Sequence, residues 1–217
     1  MSLRHALLAL IEVGPLTGYE LAKVFDQSAD HIWHAQHSQI YTELRRMESD
    51  GLVSAQTLQR GSQAKATKRA YGLTGAGAEE LLNWVSRIDD PPSFRDEAHL
   101  KATYFEYGSY SNARAQFRAH RAHYERLRDQ LERHVDDLER AETDLMKRRL
   151  KIAPPEVRDA IIGYKTHTYR GLIARARAEI EWADDGLRLV GTLVGWSTDA
   201  DADEPTYSPT PLNECEG

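Results

Sequence analysis

The segment His37-Ser38-Gln39-Ile40-Tyr41-Thr42-Glu43-Leu44-Arg45-Arg46-Met47-Glu48-Ser49, followed by Asp50-Gly51, decides the fold. Ile40, Leu44 and Met47 recur at i, i+4 and i+7, so a helix here sets all three on one face. Ser38 is a good N-cap and Gly51 a good stop, which predicts a helix from Ser38 to about Asp50. At ~100° per residue the opposite face collects Ser38, Thr42, Arg45, Arg46 and Ser49. Gln39 and Tyr41 flank it, and Glu43 and Glu48 fall nearer the core edges. Such a face is short, polar and basic. Ser, Thr, Gln and Arg side chains can all bond to base edges, and Arg can grip guanine with two hydrogen bonds.

The residues on either side supply a frame for that helix. Residues 2–13 read as a helix with Ser2 as N-cap and Leu3, Ala6, Leu7, Leu10 and Ile11 on one face; Gly14-Pro15 breaks it. Thr17-Gly18-Tyr19-Glu20 fits a capping box for a second helix that buries Leu21, Val24 and Phe25 and ends near Ser28. Residues 29–37 are an irregular connection. After Gly51 the period changes: Leu52, Val53, Ala55 and Leu58 suggest a strand, and Ala70-Tyr71-Gly72-Leu73 its return. Thr74 can cap a further helix carrying Leu81, Leu82, Trp84 and Val85. Helix, helix, helix, hairpin, helix is the order of a winged helix-turn-helix. The predicted fold is mainly α, with a small β-hairpin wing.

Asp89-Asp90-Pro91-Pro92 marks the boundary to a helical second half. A short helix is predicted over about 94–107, and a long one from Ser111 to about Lys151. The long one has a seven-residue beat: Phe117, Tyr124, Leu131, Leu138 and Leu145, with His120, Leu127, His134 and Ala141 three later. Pro154-Pro155 opens another long helix carrying Leu172, Ile180 and Leu187 on its apolar stripe. Neither long helix can bury its stripe alone, so the two should pair with each other and with a second subunit. Phe117, Tyr124, Leu127, Leu131, Leu138, Leu172, Ile180 and Leu187 are the candidate dimer residues. Three segments result: 1–90 for DNA binding, 91–196 for dimerisation and 197–217 as a tail.

Charge is unevenly spread along these segments. The net charge is −6, from 34 acids and 28 bases, but six of the acids lie in residues 197–217, which hold no Lys or Arg. That tail is too polar to offset its ordering entropy and is expected to be disordered. Residues 51–78 contain no acid and hold Arg60, Lys65, Lys68 and Arg69, suited to phosphate contacts.

Other classes fare worse. No apolar run reaches the ~18 residues of a membrane span, and no small-residue cleavage site follows the apolar start, so no secretory signal is expected. A single cysteine, Cys215, can form neither an internal disulfide nor a Cys-based zinc site, which suits a reducing cytoplasm. No Gly-rich phosphate loop, nucleophile elbow or His/carboxylate spacing of an enzyme is present, so no enzyme is expected. His31, His34 and His37 recur every third residue, but on a helix His31 and His37 would diverge by ~240°, so no metal is expected there. Packing of Trp33 and His34 between domains is one reading of this stretch. The remaining alternative to a DNA binder is a helical adaptor whose winged helix binds protein.

Residues 6–86 resemble the N-terminal domain of the PadR family of transcriptional regulators. The resemblance is carried by Ala6-Leu7-Leu8-Ala9-Leu10, Gly14-Pro15-Leu16-Thr17-Gly18-Tyr19-Glu20-Leu21, His37-Ser38-Gln39-Ile40-Tyr41, Leu44-Arg45-Arg46-Met47-Glu48, Gly51-Leu52-Val53, Tyr71, Leu73-Thr74 and Gly77. It implies a homodimeric regulator on double-stranded DNA, usually a repressor, sometimes released by a small aromatic or drug-like effector and without a cofactor. A twofold dimer would want a pseudo-palindromic operator. The resemblance carries DNA contact over to Ser38, Gln39, Tyr41 and the wing bases. It also raises an effector pocket lined by Tyr19, Trp33, His34 and Tyr41.

Overall fold

Helix α1 (Ser2–Ile11), strand β1 (Leu16–Thr17), α2 (Gly18–Ser28), α3 (His37–Ser49), β2 (Val53–Gln59), β3 (Thr67–Leu73) and α4 (Gly75–Ser86) follow one another in the computed structural model. It describes residues 2–28, 32–33, 35–59, 67–90, 95–196 and Tyr207. The chain forms two compact units: 1–91 with 144–153, and 92–143 with 154–217.

The first unit is a winged helix. Leu7, Leu8, Ile11, Leu21, Phe25, Ile40, Leu44 and Met47 are its fully buried centre, with Val53 and Tyr71 of the sheet beside them. Full burial of each such side chain stabilises by ~1.5–3 kcal/mol, before chain entropy is set against it. The sheet has the antiparallel order β1-β3-β2, with Leu16 opposite Tyr71 and Val53 opposite Leu73. The two-residue β1 escapes a sequence reading because it is too short to show alternation. The capping box forms as expected. Thr17 N–H and Oγ1–H both donate to Glu20 Oε2 at 2.8 Å, and Glu20 N–H donates to Thr17 Oγ1 at 3.3 Å. Thr74 Oγ1 likewise accepts from Gly77 N–H at 3.1 Å.

Two boundaries differ from the sequence expectation. Helix α3 starts at His37, not Ser38, with Gln36 as its N-cap. Gln36 N–H donates to Gln39 Oε1 at 2.9 Å, so this pair does the capping and Ser38 lies inside the first turn. The long helix expected to Lys151 stops at Glu139, as α6 (Tyr110–Glu139), and α7 (Asp144–Ile152) follows. Ala141 sits at φ 53°. Its N–H bonds Leu138 O, and Glu142 N–H reaches Asp137 O, the paired bonds of a Schellman stop. Residues 144–153 belong to the first unit: Leu145 packs on its core, and Arg149 lies 3.4 Å from Glu12.

In the second unit α5 (Glu97–Ala102) and a 3-10 turn (Phe105–Tyr107) take the place of the single short helix expected over 94–107. Ser109 caps α6, and α8 (Arg158–Trp196) pairs with α6 antiparallel, as the ion pairs Arg121–Asp184, Glu132–Arg177 and Glu139–Arg170 show. Phe117 meets Trp182 and Phe105 edge to face, with ring centroids 5.2 Å apart in each pair, beside Ala113, Ala183 and Val190. Among the candidate dimer residues, Phe117, Leu131 and Leu138 are buried within the single chain. They serve this unit's own packing. Tyr124, Leu127, Leu172, Ile180 and Leu187 are half-buried. The expectation for the tail 197–217 lies, Tyr207 apart, outside the described residues. Among the described residues, no helix is long and apolar enough to cross a membrane.

Candidate nucleic-acid interface

Helix α3 is held by one face and leaves the other in solvent. Ile40, Leu44 and Met47 anchor it, while Ser38, Gln39, Tyr41, Thr42, Arg45 and Arg46 are all exposed. The structure therefore gathers on one surface the helix residues singled out by their spacing.

Their chemistry is not equal. Gln39 has its Oε1 committed to the cap, which leaves its amide NH2 to donate. Thr42 Oγ1 donates to Ser38 O at 2.8 Å, so outward it can only accept. Arg46 is 3.7 Å from Glu43, a loose pair, and Arg45 has no ion-pair partner among the described residues. Arg45 is thus the strongest candidate for a base contact.

The acids of the helix are turned to other uses. Glu43, expected near a core edge, is buried and held by Arg4 Nε at 2.7 Å; the other end of the same guanidinium holds Asp50 at 2.7 Å. These two carboxylates hold the Arg4 charge more firmly than usual, its pKa rising chiefly through the Glu43 hydrogen bond. Glu48 takes the Arg69 guanidinium of β3 at 2.5 Å. Arg69, a candidate phosphate contact, is therefore already paired and lies 6.0 Å over the Tyr71 ring. Lys68 is exposed, and its charge helps hold the Glu20 carboxyl below its ordinary range, after the larger effect of the Thr17 hydrogen bonds. Arg60 and Lys65 lie outside the described residues.

Of the residues named for an effector, Tyr19, Trp33 and Tyr41 are all exposed. Tyr19 is 70% exposed and Trp33 44%, and no ring contact joins Tyr19, Trp33 and Tyr41 among the described residues. His34, like His31, lies outside the described residues. The Tyr41 ring instead rests on Gly18 at the start of α2. A cavity of about 880 Å³ occurs in the second unit, lined by Leu100, Tyr104, Phe105, Tyr107, Asn112 and Gln116 among others. The tyrosine-rich stretch 104–110 was its sequence signal, masked because aromatic residues at helical spacing normally pack inward.

Residues 7–83 match the family model of the transcriptional regulator PadR-like family. The chain is 37% identical over 101 residues to the negative transcriptional regulator PadR of Bacillus subtilis, which covers 46% of this chain and 54% of that protein. It thus spans about half the length of that curated relative. Among solved structures, Bacillus subtilis PadR in complex with operator DNA superposes with a TM-score of 0.68 at 24% identity, over 88% of this chain and 99% of that one. The same protein in complex with p-coumaric acid gives 0.63 at 23%, over 87% and 95%. At such identities the likeness is one of fold.

Proposed function

We propose that the chain is a sequence-specific DNA-binding transcriptional regulator, a reading supported by the match of residues 7–83 to the transcriptional regulator PadR-like family. In this reading it is a repressor that works in the cytoplasm as a homodimer on a pseudo-palindromic operator. The observation that carries the reading is the outer face of α3. Six polar, aromatic and basic side chains stand exposed on it, while its one inward acid is neutralised beneath by Arg4. Phosphate contacts from Lys68 and the rest of the wing would add affinity with little sequence reading. Release by a small aromatic effector is supported by the p-coumaric acid complex of the Bacillus protein and by the Tyr-lined cavity of the second unit.

The test is a mobility shift with the DNA upstream of the chain's own gene, run beside scrambled DNA at two salt concentrations. Binding should favour the upstream fragment and weaken steeply with salt, because neutralised phosphates release counterions. Equal, salt-insensitive binding to both fragments, or none, would favour the protein-binding adaptor instead.

A further inference from the structure

Four side chains from three elements meet beside one indole in the second unit. Asp96, the N-cap of α5, accepts the His99 backbone N–H at Oδ1 (3.0 Å), and its Oδ2 lies 2.6 Å from His99 Nδ1. The other ring nitrogen, His99 Nε2, lies 3.8 Å from Glu179 Oε2 on α8. His120 Nε2 of α6 is 2.9 Å from that same oxygen. Asp96, His99 and Glu179 each offer a ligand atom, and these atoms all lie within 4.8 Å of one another. Trp182 stacks on His99 at 3.9 Å between ring centroids and meets His120 edge-on at 4.9 Å. The side chains of His120 and Glu179 are 12% and 13% exposed, whereas His99, at 39%, opens the cluster to solvent.

The hydrogen bonds constrain the tautomer. A carboxylate only accepts, so the 2.6 Å contact puts a proton on His99 Nδ1. In the neutral ring Nε2 is then a lone pair, and it faces a carboxylate oxygen. Two such atoms at 3.8 Å leave room for a cation between them. A metal held at ~2.0–2.2 Å from each nitrogen and oxygen ligand spans a gap of that size. A carboxylate behind the ring is what fixes the tautomer of a ligating histidine. The two imidazoles, with centroids 6.1 Å apart and planes at 81°, flank the same Glu179 oxygen.

We infer that this cluster is a binding site for a divalent transition-metal ion of the zinc type. His99 Nε2, His120 Nε2 and the Glu179 carboxylate are its ligands, and Asp96 holds His99 in place. Two imidazoles and one carboxylate, with water in the fourth position, are a zinc-competent donor set. On binding, His120 carries its proton on Nδ1 instead of Nε2, which frees the Nε2 lone pair for the ion. The ion ties α5 to α6 and α8. The sequence offered no such pattern, because His99 and Glu179 are far apart in the chain and only fold brings them together.

The test uses the full chain, stripped with a chelator and titrated with Zn2+ and with Co2+. One equivalent should bind, raise the melting temperature and, for Co2+, give a visible absorption band of low coordination number. His99→Ala should abolish the band, and Asp96→Asn should weaken binding by about 10–100-fold. Glu179→Gln keeps the side-chain shape and a hydrogen bond to His120, so it should stay folded and still lose the metal. His37→Ala should leave Zn2+ and Co2+ binding unchanged. Absence of saturable binding, or a band that survives both His99→Ala and Glu179→Gln, overturns the inference and leaves the cluster a hydrogen-bonded tie between helices.

Discussion

The Tyr41 ring lies directly on the backbone of Gly18: a Cβ built at Gly18 would stand 2.5 Å from Tyr41 Cε1. The first residue of α2 thus sets the position of an aromatic on α3. Gly18→Ala must push that ring aside. The ring is part-exposed and can swing, so stability should fall by less than ~1 kcal/mol, toward the low end for overpacking. Operator affinity should fall further than stability does. Gly77 supplies the contrast. A Cβ there would meet the Leu52 carbonyl oxygen at 2.1 Å, a backbone atom that cannot swing. Gly77→Ala should cost ~1–3 kcal/mol in denaturant unfolding. Equal costs at the two sites would refute this distinction.

Arg45→Ala should weaken operator binding by ~1–3 kcal/mol and relax specificity at one position, as loss of a base contact does. Lys68→Ala should weaken all sequences alike and lower the salt slope by about one. Arg69→Ala should do less, because its guanidinium is already engaged by Glu48. Quantitative shifts over a salt series separate the three.

Arg4→Ala strips Glu43 of its partner while leaving the carboxylate buried. A buried charge-assisted bond lost from one side costs ~1.5–3 kcal/mol, read by urea unfolding. The double variant Arg4→Ala with Glu43→Gln should recover part of that loss, since no unpaired charge remains. A single variant as stable as the parent would show that water solvates Glu43.

The Thr17–Glu20 cap gives a pH dependence of known sign. The two Thr17 hydrogen bonds hold the Glu20 carboxyl below its ordinary 4.5. Its contribution is therefore complete above about that pH and is lost as pH falls through the lower folded value. Thr17→Val deletes the hydroxyl and keeps the N–H. It should cost ~1 kcal/mol at neutral pH, and the difference from the parent should shrink on acidification. A difference that holds constant to pH 3 would deny the carboxylate this role.

Ala141 carries the left-handed turn that ends α6, a conformation that costs an L-residue ~1–2 kcal/mol. Ala141→Gly should relieve most of that strain and raise stability by about 0.5–1 kcal/mol, with a matching rise in melting temperature. A fall would mean that the turn is not populated in solution.

The same residue explains where the sequence misleads. Helix ends marked by Gly51 and by Thr74 are legible, because the residues there have the conformation or side chain that the end demands. Ala141 is the best of helix formers, so nothing local announces a stop. The heptad beat then runs on through Leu145, which in fact belongs to the first unit and packs on that unit's core. Burial was legible for Ile40, Leu44 and Met47, whose spacing leaves one solution. The Leu131 and Leu138 stripe had two, a partner helix in the same chain or in another, and periodicity cannot tell them apart. For the outer face of α3, exposure was readable from the spacing. Which arginine has no ion-pair partner among the described residues was not, since it depends on Arg4 and Arg69 arriving from elsewhere in the chain. The Asp96–His99–His120–Glu179 cluster had no spacing to read at all.

The return of α7 to the first unit has a consequence for synthesis on the ribosome. Domains generally fold as units, N-terminal first, as the chain emerges. Here the amino-terminal unit is discontinuous: Leu145 and the Arg149–Glu12 pair are supplied by residues 144–153. When residue 91 leaves the exit tunnel, the ground under α7 is still uncovered, and about 60 further residues must be made. At ~5–20 residues per second that is a wait of ~3–12 s. During it the nascent unit exposes the surface that Leu145 will cover. A pause in translation between those points would prolong that exposure, so the codons for residues 92–153 bear on how cleanly the first ninety residues fold.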